Sequence, residues 1–393
     1  MFNFEYYTPT KVIFGRNSEN KLVELLQEYG AHKVLIHYGG KSALKSGLIN
    51  KIKTALDNSE IPYVELGGVV PNPHLSKVRE GIELGKREKI DFILAVGGGS
   101  VIDSAKAISY GLAEPEYDVW ELFRHERKAE KFLPVASVLT IAASGSETSN
   151  SCVITNEDTG EKRSYNDNIS RPKFTIMNPE LTMSLPDYQT ESGCADIMMH
   201  TMERYFTNGG NMEPTDEIAE GLLRTVMKYA EILHNNPMNY EARAEIMWAG
   251  SLSHNGLTGC GNDGGDFVCH ALEHEMGGMF DVTHGAGLAA IWSSWARYVY
   301  KDCLPRFVRY AVNVMGVTHS GSDEETALKG IETMEKFYHR IGMPVNMREL
   351  GIAPTDGQIT AMAESCSRAA GGKKGSAKVL YQKDFEEIYR MAR

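Results

Sequence analysis

The chain has 393 residues, of which 42% are hydrophobic and 24% are charged, and its formal net charge is −11. This length is sufficient for two domains, and the composition is that of a soluble globular protein. The negative charge argues against a general nucleic-acid or membrane-surface role, because binding to phosphate groups requires a basic face.

The sequence also restricts location and redox chemistry. No apolar run approaches the roughly 20 residues needed to span a bilayer, and the first residues, MFNFEYYTPTKVIFG, contain no charged-then-apolar leader. The six cysteines show no CxxC pairing, which fits reduced thiols. We therefore expect a cytoplasmic protein without a membrane or nucleic-acid partner.

The N-terminal half alternates β-branched runs with amphipathic stretches, which predicts a parallel sheet covered by helices. A first strand is predicted at 11–15, and a first helix at 17–30 ends on a glycine. The next strand, 33–38, runs directly into Gly39-Gly40-Lys41-Ser42. A strand that ends in glycines and a small hydroxyl indicates either a ligand site of an α/β sheet or a simple tight turn.

A further predicted strand, 61–66, leads to Asn72 between two prolines. Prolines restrict the backbone on both sides, so the amide of Asn72 would be held rigidly at the sheet edge.

The segment DFILAVGGGSVIDSAKAISY (91–110) is the strongest signal in this half. It predicts a strand ending at Val96, three glycines and a helix starting near Ser100. Free N–H groups and the helix dipole at such a turn favour a pyrophosphate. The segment is neither a GxGxxG fingerprint nor a Walker loop.

The segment 132–155 repeats this arrangement, with a strand ending at Thr140 followed by Ser144-Gly145-Ser146-Glu147. These hydroxyl groups can bond a ribose, an amide or a phosphate, although Ser144 and Glu147 also have the spacing of a helix capping box. We expect Lys162, which follows a polar turn, to be solvated unless a cofactor lies near it.

The composition changes near Pro186, where we place the domain boundary, giving domains 1–186 and 187–393. The second domain should be mainly α-helical, because strand alternation is absent until a few residues at KVLYQKDF. Helices are predicted at 189–206, 213–234, 239–258, 266–279, 286–315, 323–341 and 355–369.

Histidines and a carboxylate in this half form a predicted metal site. His270 and His274 are four residues apart, and His284 follows a Gly277-Gly278 break. Asp196 and His200 also share a helix face, among methionines and aromatic residues, where an unpaired carboxylate would be costly.

One oxygen and three nitrogen donors suit Zn²⁺ or Fe²⁺, and such a metal would polarise a carbonyl or stabilise an alkoxide. Spacing alone leaves open whether His270 or His274 is the ligand, and whether His274 relays a proton or has a structural role. Cys269 adjoins His270 but would point to another helix face.

These motifs resemble the iron-containing, or group III, alcohol dehydrogenase family, most closely its butanol dehydrogenase-like, aldehyde-reducing branch. The likeness rests on GGGSVID, TIAASGSE, GCADIMMHTME and the histidine cluster at 270–284, and it covers nearly the whole chain. It implies an α/β dinucleotide-binding domain followed by an all-α catalytic domain, the architecture of dehydroquinate synthase, with the active site in the cleft between them.

The resemblance also implies the roles of individual residues. His274 would be a non-ligand neighbour close to the substrate, and the metal ligands would be Asp196, His200, His270 and His284. The pyrophosphate would be bound at Gly97, Gly98, Gly99 and Ser100. The rest of the cofactor would be contacted by Asn72, Thr140, Ser144 and Lys162, with Leu181 beside it. Apart from the resemblance, the predicted cofactor-binding set includes Gly39, Gly40 and Ser42 after the second strand, and Asp103.

The residues after the second strand predict a preference for NADPH. NAD-preferring folds place an acid after the second strand, which binds the ribose hydroxyls and repels a 2′-phosphate. Residues 39–42 offer backbone N–H groups, a hydroxyl and a cation instead of a carboxylate.

We therefore predict reversible hydride transfer between NADP(H) and a small aldehyde or primary alcohol such as butanal or butanol. The alternatives are a glycerol or diol dehydrogenase on the same scaffold and, ranked lower, a dehydroquinate synthase-like lyase. The lyase would require a cluster of basic residues near the metal, and the metal-bearing helices are poor in them. We expect a homodimer, with the N-terminal strand as a plausible pairing edge.

Overall fold

The computed structural model describes residues 1–393, without the side chains of Lys41 and Ser42. The chain divides into two compact units, one formed by Tyr7–Ser184 and the other by Met1–Tyr6 together with Leu185–Arg393. The predicted boundary at Pro186 lies close to this division, but Met1–Tyr6 groups with the second unit rather than with the first.

The first unit is an α/β structure. Its strands are β1 Lys11–Phe14, β2 Val34–Tyr38, β3 Tyr63–Leu66, β4 Phe92–Gly97, β5 Val135–Leu139, β6 Ser151–Asn156, β7 Glu161–Asn166 and β8 Phe174–Met177. Its helices are α1 Leu22–Glu28, α2 Lys41–Lys45, α3 Leu48–Asn58, α4 Leu75–Glu88, α5 Gly99–Ala113 and α6 Trp120–Phe123.

A parallel sheet with strand order β1-β8-β5-β4-β2-β3 forms the centre of this unit. Every residue of β4 and β5 is buried, because helices cover both faces of a parallel sheet. These continuous apolar runs explain why the sequence predicts buried strands here. Strand β1 lies at an edge of the sheet.

The predicted capping box at Ser144 and Glu147 is wrong, because no helix begins at this segment and β6 follows it. The chain instead makes a turn there and enters an antiparallel hairpin of β6 and β7, which the sequence analysis did not predict. Two β-strands, rather than a helix, satisfy the backbone hydrogen bonds of this segment.

The second unit is helical. Its helices are α7 Asp187–Tyr205, α8 Glu213–Asn235, α9 Tyr240–His254, α10 Val268–Phe280, α11 His284–Val299, α12 Leu304–Asn313, α13 Asp323–Arg340, α14 Asp356–Ala369 and α15 Gln382–Ala392. Helix α7 packs against α8, α9 and α11 and is buried along most of its length. Within the described residues, no helix is both long and apolar enough to cross a membrane.

Three expectations for this unit are wrong. The predicted helix 286–315 is two helices, because Pro305 lacks a backbone N–H and occupies the first turn of α12, where none is needed. Helix α10 continues through the two glycines to Phe280, and the break falls at Asp281, whose φ is 51°. The predicted strand at 378–385 is limited to a bridge between Lys374 and Leu380, and α15 follows it.

Candidate functional site

Helix α7 carries polar groups into the interior of the second unit. Asp196, His200 and Glu203 follow one another at spacings of four and three residues, so they share one face of the helix. These three residues are only 3%, 4% and 0% exposed to solvent, respectively. Because buried carboxylates are costly without compensating partners, this face must meet donors or cations.

Helix α11 approaches α7 at a glycine, which brings His284 to this face. A Cβ atom added at Gly285 would lie 1.9 Å from the carbonyl oxygen of Ser192, so only glycine allows the two backbones to be this close. His284 is the first residue of α11, and Asp196 lies one helical turn after Ser192.

The carboxylate of Asp196 is the point where three imidazole rings meet. Its Oδ1 atom lies 3.7 Å from Nε2 of His270, 3.7 Å from Nε2 of His284 and 3.2 Å from Nδ1 of His200. Ligand atoms of Asp196, His270 and His284 all lie within 4.8 Å of one another, close enough to hold one metal ion.

His200, the fourth predicted ligand, lies beside this compact set rather than within it. Its ring centroid is 4.5 Å from that of His270 and 4.0 Å from that of His254, which meets it edge-on. The sequence analysis did not single out His254, because it stands alone at the end of α9.

Two buried glutamates orient the imidazoles of the set. Oε2 of Glu203 contacts Nδ1 of His270, and Oε2 of Glu273 contacts Nδ1 of His284. Since an ionised carboxylate only accepts hydrogen bonds, each Nδ1 carries a hydrogen, and in the neutral ring the lone pair that can bind a metal is then on Nε2. Neither glutamate was predicted from the sequence, although the spacing of Glu203 and Asp196 places these two residues on one face of α7.

The electrostatics of the cluster fit a cation. Burial lowers the pKa of His270, but the nearby carboxylates of Glu203 and Asp196 outweigh it and raise this pKa to about 9. Burial holds the pKa of His200 well below its ordinary value. Asp196 Oδ1, His200 Nδ1 and His270 Nε2 are buried without a hydrogen-bond partner among the described residues. A divalent metal would satisfy these donor atoms.

His274 lies on α10, one turn beyond His270, and is half-buried. Its ring centroid is 6.4 Å from that of His270 and 5.9 Å from that of His284, so it lies next to the compact set without belonging to it. Cys269 is a buried free thiol outside the set.

In the first unit, the three glycines form the turn between β4 and α5. A Cβ atom at Gly97 would lie 2.4 Å from Val101, one at Gly98 would lie 2.8 Å from Ile141, and one at Gly99 would lie 2.2 Å from Ser144 Oγ. Each glycine is therefore required by packing, and the turn exposes the first N–H groups of a helix, as pyrophosphate sites do.

The loop after β5 packs on this turn. Thr140 donates its N–H to the carbonyl of Gly97 at 3.0 Å. Ser100 is the second residue of α5, and Ser144 Oγ accepts the N–H of Ser146 at 3.4 Å. The hydroxyls named in the sequence analysis thus lie near the glycines.

The carboxylate of Asp103 supports this loop from within the unit. One oxygen accepts the hydroxyl of Ser146 at 2.5 Å, and the other accepts the N–H of Val153 at 3.0 Å. The fully buried ammonium of Lys106 donates to the carbonyls of Ser146, Ser149 and Ser151 at 2.8–3.0 Å. Burial lowers the pKa of Lys106 to about 8. The sequence analysis missed Lys106, whose partners lie some 40 residues away.

The remaining predicted cofactor residues lie at several places in the same unit. Asn72 is buried with a left-handed φ of 52°, and Leu181 packs against the core of the sheet. Lys162 is only 4% exposed, so the expectation that it is solvated is wrong. Gly39 follows β2, and its carbonyl accepts the N–H of Gly68 at 2.9 Å. The side chain of Ser42 is outside the described part of the structure, and a Cβ atom on Gly40 would meet no atom within 4 Å.

Two family models together match most of the chain. Residues 9–179 match the family described as iron-containing alcohol dehydrogenase, and residues 190–393 match the Fe-containing alcohol dehydrogenase family, C-terminal.

Two curated relatives and one solved structure illustrate the similarity. NADH-dependent butanol dehydrogenase A of Clostridium acetobutylicum is 38% identical over 99% of both chains. NADPH-dependent aldehyde reductase YqhD of Escherichia coli is 32% identical over 90% of both chains. The structure of NADH-dependent butanol dehydrogenase A from Thermotoga maritima is 39% identical and has a TM-score of 0.95, covering 100% of this chain and 99% of that one.

The matched ranges extend over both units and span the segments that contain the glycine turn and the histidine cluster. A divalent metal and a nicotinamide cofactor follow from membership of this family. The chain belongs to the iron-containing alcohol dehydrogenase family and is an alcohol dehydrogenase, an oxidoreductase of alcohols and aldehydes.

Proposed function

We propose that this enzyme interconverts a small aldehyde and the corresponding primary alcohol, of the size of butanal and butanol, with NADP(H) as the preferred cofactor. The observation that carries the proposal is the convergence of Asp196, His270 and His284, with His200 beside them, at a buried point with unsatisfied donor atoms. Metal binding by these four residues would explain why a folded protein keeps such atoms in its interior.

Different residues of the chain would bind the cofactor and the metal. When bound, a divalent metal supplies Lewis-acid polarisation of the substrate oxygen, and the nicotinamide supplies or accepts the hydride. The N–H groups at Gly98 and Gly99 would bind the pyrophosphate and so orient the cofactor. Asp196, His200, His270 and His284 would hold the metal in a largely buried setting, where charge stabilisation is strong.

His274 would transfer a proton to or from the substrate oxygen. Its half-buried ring, close to the rings of His270 and His284, has the access that a proton relay needs. The variant His274→Gln should lower kcat and alter its pH profile while the bound metal stays at the wild-type level. Unchanged kcat at every pH would contradict this role.

The cofactor preference rests on the segment after β2. Residues 39–42 contain no carboxylate that would repel a 2′-phosphate, and this supports NADPH. The names of the relatives do not support it uniformly, since the butanol dehydrogenases are called NADH-dependent and the aldehyde reductase NADPH-dependent. We expect kcat/KM to be higher with NADPH, and a tenfold advantage for NADH would refute the preference.

Introducing a carboxylate after β2 is a second test of the cofactor preference. A Cβ atom at Gly39 would meet only Val69 O at 3.6 Å and Val101 at 3.8 Å, so Gly39→Asp should fit without a clash. The new carboxylate should lower kcat/KM for NADPH more than for NADH. Equal effects on both cofactors would show that this segment does not face the ribose.

The substrate assignment is tested with purified enzyme whose metal content has been measured. Reduction of butanal should be faster, by kcat/KM, than oxidation of glycerol or 1,3-propanediol. A clear preference for the diols would favour the polyol alternative. Self-association, for which the sheet edge at β1 is a plausible surface, stays a prediction that light scattering can check.

A further inference from the structure

We propose that Glu203 and Glu273 are positioning residues that set the affinity of the site for a divalent metal. Each buried carboxylate holds the Nδ1 hydrogen of one imidazole, so that the Nε2 atoms of His270 and His284 both face Asp196. The inference deepens the proposed function, because it rests on these histidines being metal ligands.

Glu203 joins the metal ligands on two helices. It lies on α7, two turns after Asp196, and is fully buried. Its Oε2 contacts Nδ1 of His270, while its Oε1 accepts the backbone N–H of Cys269 at 2.6 Å and that of His270 at 3.3 Å. These N–H groups belong to the first turn of α10, where no intrahelical acceptor exists. One carboxylate therefore fixes both the backbone and the ring of His270.

Glu273 performs the corresponding task for His284. It lies on α10, three residues after His270, is fully buried, and contacts Nδ1 of His284 through Oε2. Its position depends on Gly287 of α11, where an added Cβ atom would lie 2.9 Å from Glu273 Cγ. The side chain of Glu273 thus lies between α10 and α11, in space that is free because residue 287 has no side chain.

The two pairs have the same geometry, and this symmetry carries the inference. Both rings bond a carboxylate through Nδ1, and both Nε2 atoms lie 3.7 Å from the same oxygen of Asp196. A carboxylate on the far side of an imidazole fixes its tautomer and raises the basicity of the free nitrogen. Three buried carboxylates also favour a divalent cation over an empty site.

The test measures metal affinity rather than turnover. Full-length protein is stripped of metal and loaded with Co²⁺, whose dissociation constant is obtained by competition with a chelator and whose visible absorption reports the coordination geometry. We expect Glu203→Gln and Glu273→Gln each to weaken Co²⁺ binding on the order of 10–100-fold and to change the absorption bands. Glu203→Asp, which keeps the charge, should lose less affinity than Glu203→Gln.

Glu220→Gln provides a matched control. Glu220 is a carboxylate of the same unit, 1% exposed, that bonds Tyr205, Arg309 and Asn313 instead of a histidine. Its loss should lower the melting temperature and leave Co²⁺ affinity and spectrum as in the wild type. If Glu203→Gln does not fold because α10 loses its N-terminal acceptor, Glu273→Gln still tests the inference, since Glu273 lies beyond the first turn of α10, where the helix supplies its own backbone acceptors.

The outcomes separate the inference from the proposed function. A wild-type protein that binds no divalent metal would overturn both. A wild type that binds Co²⁺, with both glutamine variants binding it equally well and with the same spectrum, would overturn only the positioning role. Weaker binding and altered spectra in the variants, but not in Glu220→Gln, would support it.

Discussion

The backbone of Gly285 touches the backbone of Ser192, since a Cβ atom on the glycine would lie 1.9 Å from the serine carbonyl oxygen. This contact sits beside His284 on one helix and one turn before Asp196 on the other. The distance between two proposed metal ligands therefore depends on a position that contacts no metal itself.

Gly285→Ala should separate α11 from α7 and weaken metal binding. Inserting a methyl group against a backbone atom forces a helix shift that typically costs about 1–3 kcal/mol. The variant should melt at a lower temperature and retain less metal, as measured by elemental analysis.

Gly221→Ala in α8 is the matched control, because the nearest atom to its added Cβ would be Arg224 Nη2 at 3.9 Å. It should leave metal content unchanged and leave stability equal or higher by up to about 1 kcal/mol. Wild-type metal content in Gly285→Ala would contradict the role of this contact.

A double substitution tests the glycine turn. Gly99→Ala places a methyl group 2.2 Å from Ser144 Oγ and should raise KM for the cofactor by displacing the loop after β5. Adding Ser144→Ala removes the clashing oxygen and should lower this KM again, although the serine hydroxyl is lost. Metal content should stay constant in both variants. Independent, additive effects of the two substitutions would show that the clash does not control cofactor binding.

Acid stability should depend on His37 in the first unit. Its Nδ1 bonds the carbonyl of Leu66 at 2.9 Å, which requires a hydrogen there, and its Nε2 lies 2.8 Å from Ser104 Oγ and accepts from that hydroxyl. Burial lowers the pKa of His37 to about 4, whereas the unfolded chain titrates near 6.5.

At a pH between these two pKa values, His37 is protonated in the unfolded state but not in the folded state. The free energy of unfolding should thus fall as the pH drops from about 6.5 to 4, by about 3 kcal/mol from this group. His37→Gln keeps a donor and an acceptor but cannot take up a proton, so its melting temperature should fall less over this range. An identical slope in both proteins would contradict the prediction.

Asp196→Asn should abolish tight metal binding and turnover together. The substitution preserves the size of the side chain but removes the negative charge that lies 3.2–3.7 Å from three imidazole nitrogens. Because the charge, not the packing, is lost, the fold measured by circular dichroism should be retained. Full activity in metal-free Asp196→Asn would refute a metal mechanism.

The sequence predicts those features that depend on local spacing. Asp196 with His200, and His270 with His274, are recognised because helical period places each pair on one face, and the glycine turn is recognised because strand, glycines and helix follow in order. The partners of Glu203 and Lys106 are not predictable in this way, since they lie 67 and 40–45 residues away and are set by packing.

Two further predictions from local sequence pattern are wrong because tertiary packing overrides the pattern. Residues 286–315 keep an apolar helical period across the break before Pro305, so periodicity alone joins two helices. Lys162 follows a polar turn yet is buried, because the hairpin of β6 and β7 that contains it packs against helices α4, α5 and α6. Burial of a charged side chain is decided by tertiary contacts that its neighbours in sequence do not reveal.

The N–H of Phe2 donates to the carbonyl of Gly261 at 2.9 Å, and the segment Met1–Tyr6 belongs to the helical unit. During synthesis this segment is made well before its partner, which follows some 260 residues later in the chain. The chain therefore passes between the units twice, and the second unit cannot be completed by local folding alone. We expect docking of the first six residues to be a late step of folding, because closing so long a loop is entropically costly.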